Sequence, residues 1–178
     1  MTTEEEKSEK DKKIALENAY KTFTSFNYKQ TTIEEVDKLL VEFSLNIDAL
    51  DEVDETPLIK CLLAGNFELA KYFLDKGANM YAYDTGGRTS MMICAQKGYL
   101  DFAKELIKKG YDINKKVPSN NHSVLSLAVW ANQVEMVRLL LQNGADPNIK
   151  DNLGWSSFDV AEFCNNPEII KELEGTNE

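Results

Sequence analysis

Two stretches decide how this chain is read: TPLIKCLLAGNFELAKYFLDKGAN at residues 56–79 and SVLSLAVWANQVEMVRLLLQNGADPN at residues 123–148. Each opens on a hydroxyl residue ahead of an apolar run, breaks once in the middle, and closes on Gly-Ala-Asn or Gly-Ala-Asp. Outward from them, Thr56, Thr89, Ser123 and Ser156 follow one another at 33, 34 and 33 residues. Gly65, Gly98, Asn132 and Asn165 keep the same step, and so do Gly77, Gly110 and Gly144. The one-residue surplus falls in the polar stretch Lys115–His122, where an added loop residue costs little. Landmarks that stay in phase through four units mark an internal repeat.

Each landmark has a physical task. A hydroxyl just before an apolar run is an N-cap, whose oxygen accepts from a free backbone N–H of the first helical turn. Pro57 suits the first helical position. The mid-unit Gly or Asn ends a short helix in a left-handed residue, and the second glycine closes the next helix in the same way. Each unit is therefore helix, tight turn, helix, looped-out segment. The apolar positions hold register too: Leu58, Met91, Leu125 and Phe158; Cys61, Cys94, Ala128 and Ala161; Ala70, Ala103, Val137 and Ile170; Phe73, Leu106, Leu140 and Leu173. One helix pair cannot cover its own apolar stripe, so similar pairs must stack. Upstream, Ile14, Leu16, Ala19, Tyr20 and Phe23 recur at helical spacing, as do Ile33, Val36, Leu39, Leu40 and Phe43, the latter capped by Thr31 or Thr32. The expected fold is all-α, a solenoid of stacked helix-turn-helix units with hairpin-like loops.

These units resemble ankyrin repeats. They match in part the family's T-P-L-H-x-A signature, its 33-residue period and its closing G-A-D-x-N. Tetratricopeptide repeats have a similar period but lack the capping threonine and closing glycine. The signature histidine is replaced by Ile59, Met92, Ser126 and Asp159. The last unit departs further: Glu162 stands in an apolar column, and Pro167 is expected to interrupt the start of the second helix. The resulting organisation is a disordered charged tail over 1–10, a divergent N-terminal capping repeat over 11–48, ankyrin repeats over 49–82, 83–115 and 116–148, a C-terminal capping repeat over 149–174, and a tail over 175–178.

Composition narrows the function. A net charge of −10 repels nucleic-acid phosphates and anionic membranes. Three cysteines without a C-x-x-C pair argue against a zinc site or a disulfide framework. The apolar runs are too short for a membrane span, the N-terminus shows no apolar signal core, and a reducing cytoplasm is the expected location. His122 is the lone histidine, so neither a His-His metal pair nor a catalytic triad built elsewhere is available. Gly86-Gly87 is a turn pair with no G-K-[ST] behind it. Asp48, Asp51, Glu52, Asp54 and Glu55 do not follow an EF-hand spacing and read as a solvated acidic hairpin. No catalytic residue, metal or cofactor is expected.

The resemblance implies a protein partner that meets the hairpin tips and the exposed end of each first helix. On this chain those positions are Glu52 and Glu55, then Tyr83, Thr85, Arg88, Gln96 and Lys97, then His122 and Trp130, then Asn152, Trp155, Phe163 and Cys164. Both tryptophans fall in the set, as interface anchors or as seals on the C-terminal end of the core. The partner would carry a basic patch and an apolar segment, and the chain alone would be monomeric. The resemblance leaves two functions open: a scaffold or adaptor, or a dedicated inhibitor of immunity type that covers the active site of a toxin or enzyme.

Overall fold

The computed structural model describes residues 4–116 and 121–175. Ten helices occupy the described residues, with no strand among them: α1 (Glu4–Thr24), α2 (Ile33–Phe43), α3 (Pro57–Ala64), α4 (Phe67–Asp75), α5 (Ser90–Lys97), α6 (Leu100–Lys108), α7 (Val124–Trp130), α8 (Val134–Gln142), α9 (Ser157–Cys164) and α10 (Pro167–Glu174). The chain divides into two compact units, Met1–Thr85 and Gly86–Glu178.

The repeat landmarks act as the sequence indicates, with one exception. Thr89, Ser123 and Ser156 each precede an inner helix in extended conformation and accept from the N–H three residues on. Thr56 takes the same backbone geometry, yet its hydroxyl makes no capping bond and is buried without a partner. At Ser156 the residue three positions on, Asp159, returns a bond and completes a capping box. Thr89 has another solution: its hydroxyl shares a 2.6 Å hydrogen bond with the buried phenol of Tyr111, which stands where the other units carry alanine. Gly65, Gly98, Asn132 and Asn165 are all left-handed, as are Gly77, Gly110 and Gly144. Pro167 does not interrupt α10; it is the first residue of the helix, behind an Asn166 cap that accepts from Glu168 and Ile169.

In the first unit, α1 and α2 pack on the α3–α4 hairpin through aromatic edges. Phe23 meets Phe73 at 6.2 Å and Tyr28 meets Phe73 at 6.4 Å. The Asn66 amide donates to the carbonyls of Tyr28 and Thr31, and Asp37 bonds Tyr72 and Lys76. Thr32, not Thr31, caps α2, in a capping box with Glu35; Thr31 is buried and bonds the Asn27 carbonyl. Helix α1 begins at Glu4, so the stretch expected to be disordered through residue 10 is helical from that point on; residues 1–3 lie outside the described set. Packing at Ala19 and Phe23 fixes one end, and a run of good helix formers lets the helix extend from there. Its outer part is bare: Ile14 and Leu16 are each 47% exposed.

In the second unit, α5, α7 and α9 lie side by side, each backed by its partner α6, α8 or α10. The expected columns are buried here, except that Phe158 and Ile170 of the last hairpin are half-buried because no further described hairpin packs on them. Loop carbonyls and amides are tied by side chains. Asn114 donates to the Gly144 carbonyl at 2.8 Å and accepts from the Asp146 N–H at 2.8 Å. Asp48 accepts from the Asn79 N–H in the same way within the first unit. Burial pushes the Cys61 and Cys94 thiols well up, which makes them inert packing groups. The proposed site of the extra loop residue, 115–122, falls partly outside the described residues, as does the end of the 175–178 tail.

Candidate interaction site

In the second unit two rows of side chains cross the three inner helices. One row stands immediately before each helix cap: Arg88, His122 and Trp155. The other lies near the end of each helix, eight residues on: Gln96, Trp130 and Phe163. Contacts within and between the hairpins bring the rows together. Arg88 hydrogen-bonds Gln96 in the first pair. In the last pair the rings of Trp155 and Phe163 meet edge-on with centroids 5.3 Å apart. Trp130 bridges to the next hairpin: its ring lies 12° from parallel with Trp155 at 6.2 Å and 5.6 Å from Phe163.

The cluster reaches solvent. Trp130 is 43% exposed and Phe163 66% exposed, while Trp155 is half-buried. The three rings pack on one another and still present their outer surfaces to water. The tip turn that carries Trp155 is held tightly. The Asp151 carboxylate accepts from the N–H groups of Leu153 (2.8 Å) and Trp155 (2.9 Å), and the Trp155 carbonyl accepts from the Asp151 N–H at 3.0 Å. His122 Nδ1 lies 3.5 Å from the same Asp151 carboxylate. Ser156 then starts α9 through its bonds with Asp159, whose carboxyl is held below the usual carboxylate range by the Ser156 hydroxyl and N–H. A hydrogen-bonded turn and a capped helix thus fix the backbone that carries Trp155 and Phe163.

The remaining candidate residues separate. Lys97 and Asn152 are exposed in the second unit, and Asn152 accepts from the Asn121 amide at 2.9 Å. Cys164 is an exposed free thiol beside Phe163. In the first unit Glu52, Tyr83 and Thr85 are exposed, but Glu55 is not: at 7% exposure its carboxylate accepts from the Thr85 N–H at 3.2 Å. The acidic hairpin expected to be solvated is therefore largely structural. Asp51 accepts from the N–H groups of Val53 and Glu55 and pairs with Lys60, with little of its side chain in water. Of the carboxylates Asp51, Glu52, Asp54 and Glu55 in that tip, only those of Glu52 and Asp54 belong to exposed residues.

Sequence reasoning passed over Leu153. It is 82% exposed on the same tip as Trp155, and an apolar residue in a turn otherwise made of Asp, Asn and Gly was the available signal. Among the described residues, no group of three or more His, Cys, Asp or Glu side chains is placed to hold a metal ion, and no helix is long and apolar enough to cross a membrane.

A stretch of 58 residues is 40% identical to the mitochondrial disaggregase of Homo sapiens and 38% identical to that of Bos taurus, covering 33% of this chain in both cases. The same stretch spans 8% and 9% of those relatives, so the chain matches only a small part of either. The model for ankyrin repeats in three copies matches residues 27–117 and 86–151, a span that holds helices α2 to α8 and the caps between them. On that match and on the repeated hairpins described above, the chain belongs to the ankyrin-repeat family, whose members serve as protein–protein interaction modules.

Proposed function

We propose that this chain is a scaffold or adaptor that holds a partner protein on the inner-helix face of its second unit and catalyses nothing. The observation that supports this most is the exposed stack of Trp130, Trp155 and Phe163. Exposed aromatic groups on rigid supports are what interface hot spots are made of, since they bury much area while freezing few torsions. Arg88, Gln96, Lys97, His122 and Asn152 add polar side chains at the corresponding tip and helix-end positions of the same unit. The three unpaired thiols suit a reducing compartment such as the cytoplasm. The short likeness to a disaggregase brings none of that protein's activity into this reading, because it reaches only 8% of its length.

A second reading, a dedicated inhibitor, draws support from charge. Residues 121–175 hold eight carboxylates against Arg138, Lys150 and Lys171, a net of five negative charges. Such a surface suits the cationic site of an enzyme that acts on anionic substrates. Affinity capture from the source cell, run with wild type and with Trp130→Ala/Trp155→Ala, tests the main proposal. The expected result is a partner retained by wild type and lost by the double variant at equal thermal stability. Equal capture by both proteins would remove the aromatic cluster from the interface. Assay of the captured partner with and without this chain then separates the adaptor, which leaves its activity unchanged, from the inhibitor, which abolishes it.

A further inference from the structure

Trp130 and Trp155 belong to successive hairpins, so their stack depends on how the 151–156 turn sits against the α7–α8 hairpin. Asp151 shapes that turn. One of its carboxylate oxygens, Oδ1, accepts from the N–H groups of both Leu153 and Trp155. The other, Oδ2, is the atom that His122 Nδ1 approaches at 3.5 Å from the loop leading into α7. The residue before His122 makes the matching contact: Asn121 donates its amide to the Asn152 side chain at 2.9 Å. Adjacent residues of one loop thus meet adjacent residues of the next. The turn before α3 closes the same kind of carboxylate differently. There Asp51 Oδ1 accepts from Val53 and Glu55, and Oδ2 pairs with Lys60 on the helix that follows. Nine residues after Asp151, in the place of Lys60, stands Val160, which is apolar and buried. At the Trp155 turn, then, the group facing the second oxygen comes from the preceding hairpin. The Asp151 side chain is 8% exposed, so water screens that approach poorly.

We propose that Asn121 and His122 are positioning residues: they hold the 151–156 turn against the α7–α8 hairpin, so that Trp155 stays stacked on Trp130 in the arrangement a partner meets. This inference rests on the interaction reading above and assigns how its anchor is held. A histidine suits the task because an Nδ1–H donates to a carboxylate from the neutral ring as well as from the charged one. An exposed hydrogen bond adds little to global stability, since each partner otherwise bonds water. The two contacts therefore act on the placement of one turn, and their removal should disturb the rings without unfolding the chain. A stack held before the partner arrives leaves less to order on binding.

The chain offers its own probe, because Trp130 and Trp155 are its two tryptophans. Rings 6.2 Å apart and 12° from parallel displace each other's proton resonances and give cross-relaxation peaks between the indoles. Proton NMR of the full chain without partner reads both, with Trp130→Ala and Trp155→Ala as the unstacked references. Asn121→Ala/His122→Ala should lose about half or more of the ring-current displacement, with Tm within about 2 °C of wild type. Each single alanine variant should lose part of it. His122→Gln, which keeps an N–H donor toward Asp151, should retain most of it. The double variant should also hold the partner captured by wild type about threefold more weakly or worse. Undisturbed ring signals in the double variant overturn the assignment, because the stack then holds itself. That failure leaves the interaction reading intact, since capture by Trp130→Ala/Trp155→Ala decides it separately. Ring signals lost only together with a large fall in Tm also overturn the assignment, and so does His122→Gln behaving like His122→Ala. Capture lost with the rings undisturbed would make the two residues direct contacts. Rings disturbed with capture unchanged would sever their placement from binding. Either result contradicts the proposal.

Discussion

Asp54 occupies the left-handed backbone position of the first tip turn, with φ 61°, where Gly87 and Gly154 stand in later repeats with φ 74° and 82°. Aspartate tolerates this region better than most residues, but it still pays for its Cβ there. Asp54→Gly is therefore expected to stabilise the chain by about 0.5–1 kcal/mol, read as a rise in Tm of roughly 2 °C. The opposite change belongs at Gly98, the left-handed end of α5 with φ 73°. A Cβ there would meet only the mobile end of Gln133, so backbone strain decides the outcome. Gly98→Val should cost about 1 kcal/mol or more, and a thermal melt without a shift would contradict that turn assignment. The Gly98 slot was legible in the sequence, since Gly or Asn recurred there at a fixed step, whereas Asp54 was read only as one of a cluster of acidic residues. The partners of Thr56 and Thr89 were not legible. A hydroxyl before an apolar run announces a helix start, but whether it bonds N–H, finds the Tyr111 phenol or finds nothing depends on which side chain the fold brings opposite.

Helix α1 and the acidic tip show how a local pattern and its tertiary use diverge. The helical spacing of Ile14, Leu16, Ala19, Tyr20 and Phe23 was readable, yet burial selects only Ala19 and Phe23. Ile14→Glu and Leu16→Glu should each change stability by less than about 0.5 kcal/mol, whereas Phe23→Ala should cost about 3–5 kcal/mol in chemical unfolding. In the tip before α3, burial alone would raise the Asp51 carboxyl. The Lys60 ammonium and the N–H groups of Glu55 and Val53 outweigh it and hold the carboxyl below its usual range. An Asp with a depressed folded pKa stabilises the fold fully above its unfolded value of about 4, and that contribution fades as pH falls through the lower folded value. Asp51→Asn keeps an oxygen for the turn but leaves Lys60 without its counter-ion, so a loss of about 2 kcal/mol at pH 7 is expected. The variant should also show a shallower fall of Tm between pH 5 and 3 than wild type, and parallel curves would contradict the assigned pair. Five closely spaced carboxylates suggested a solvated surface because sequence counts charges without placing Lys60 and the Thr85 N–H against them.

The repeat architecture followed from the sequence because its determinants are local and recur: a cap, a left-handed turn, a closing glycine and four apolar columns. The candidate site was legible in part. Phase alone brought Trp130, Trp155 and Phe163 into one set of positions, but it could not show that their rings stack across two hairpins with Trp130 and Phe163 exposed. Leu153 drew no notice as a site residue because a lone apolar turn residue is ordinary until Trp155 is placed on the same turn. The most direct measurement is hydrogen–deuterium exchange on the complex with the captured partner. Protection should appear at the end of α7, across the 151–156 tip and along the outer side of α9, with the first unit unchanged. Protection confined to the outer helices α6, α8 and α10, or to the first unit, with the 151–156 tip exchanging as in the free chain, would contradict the account.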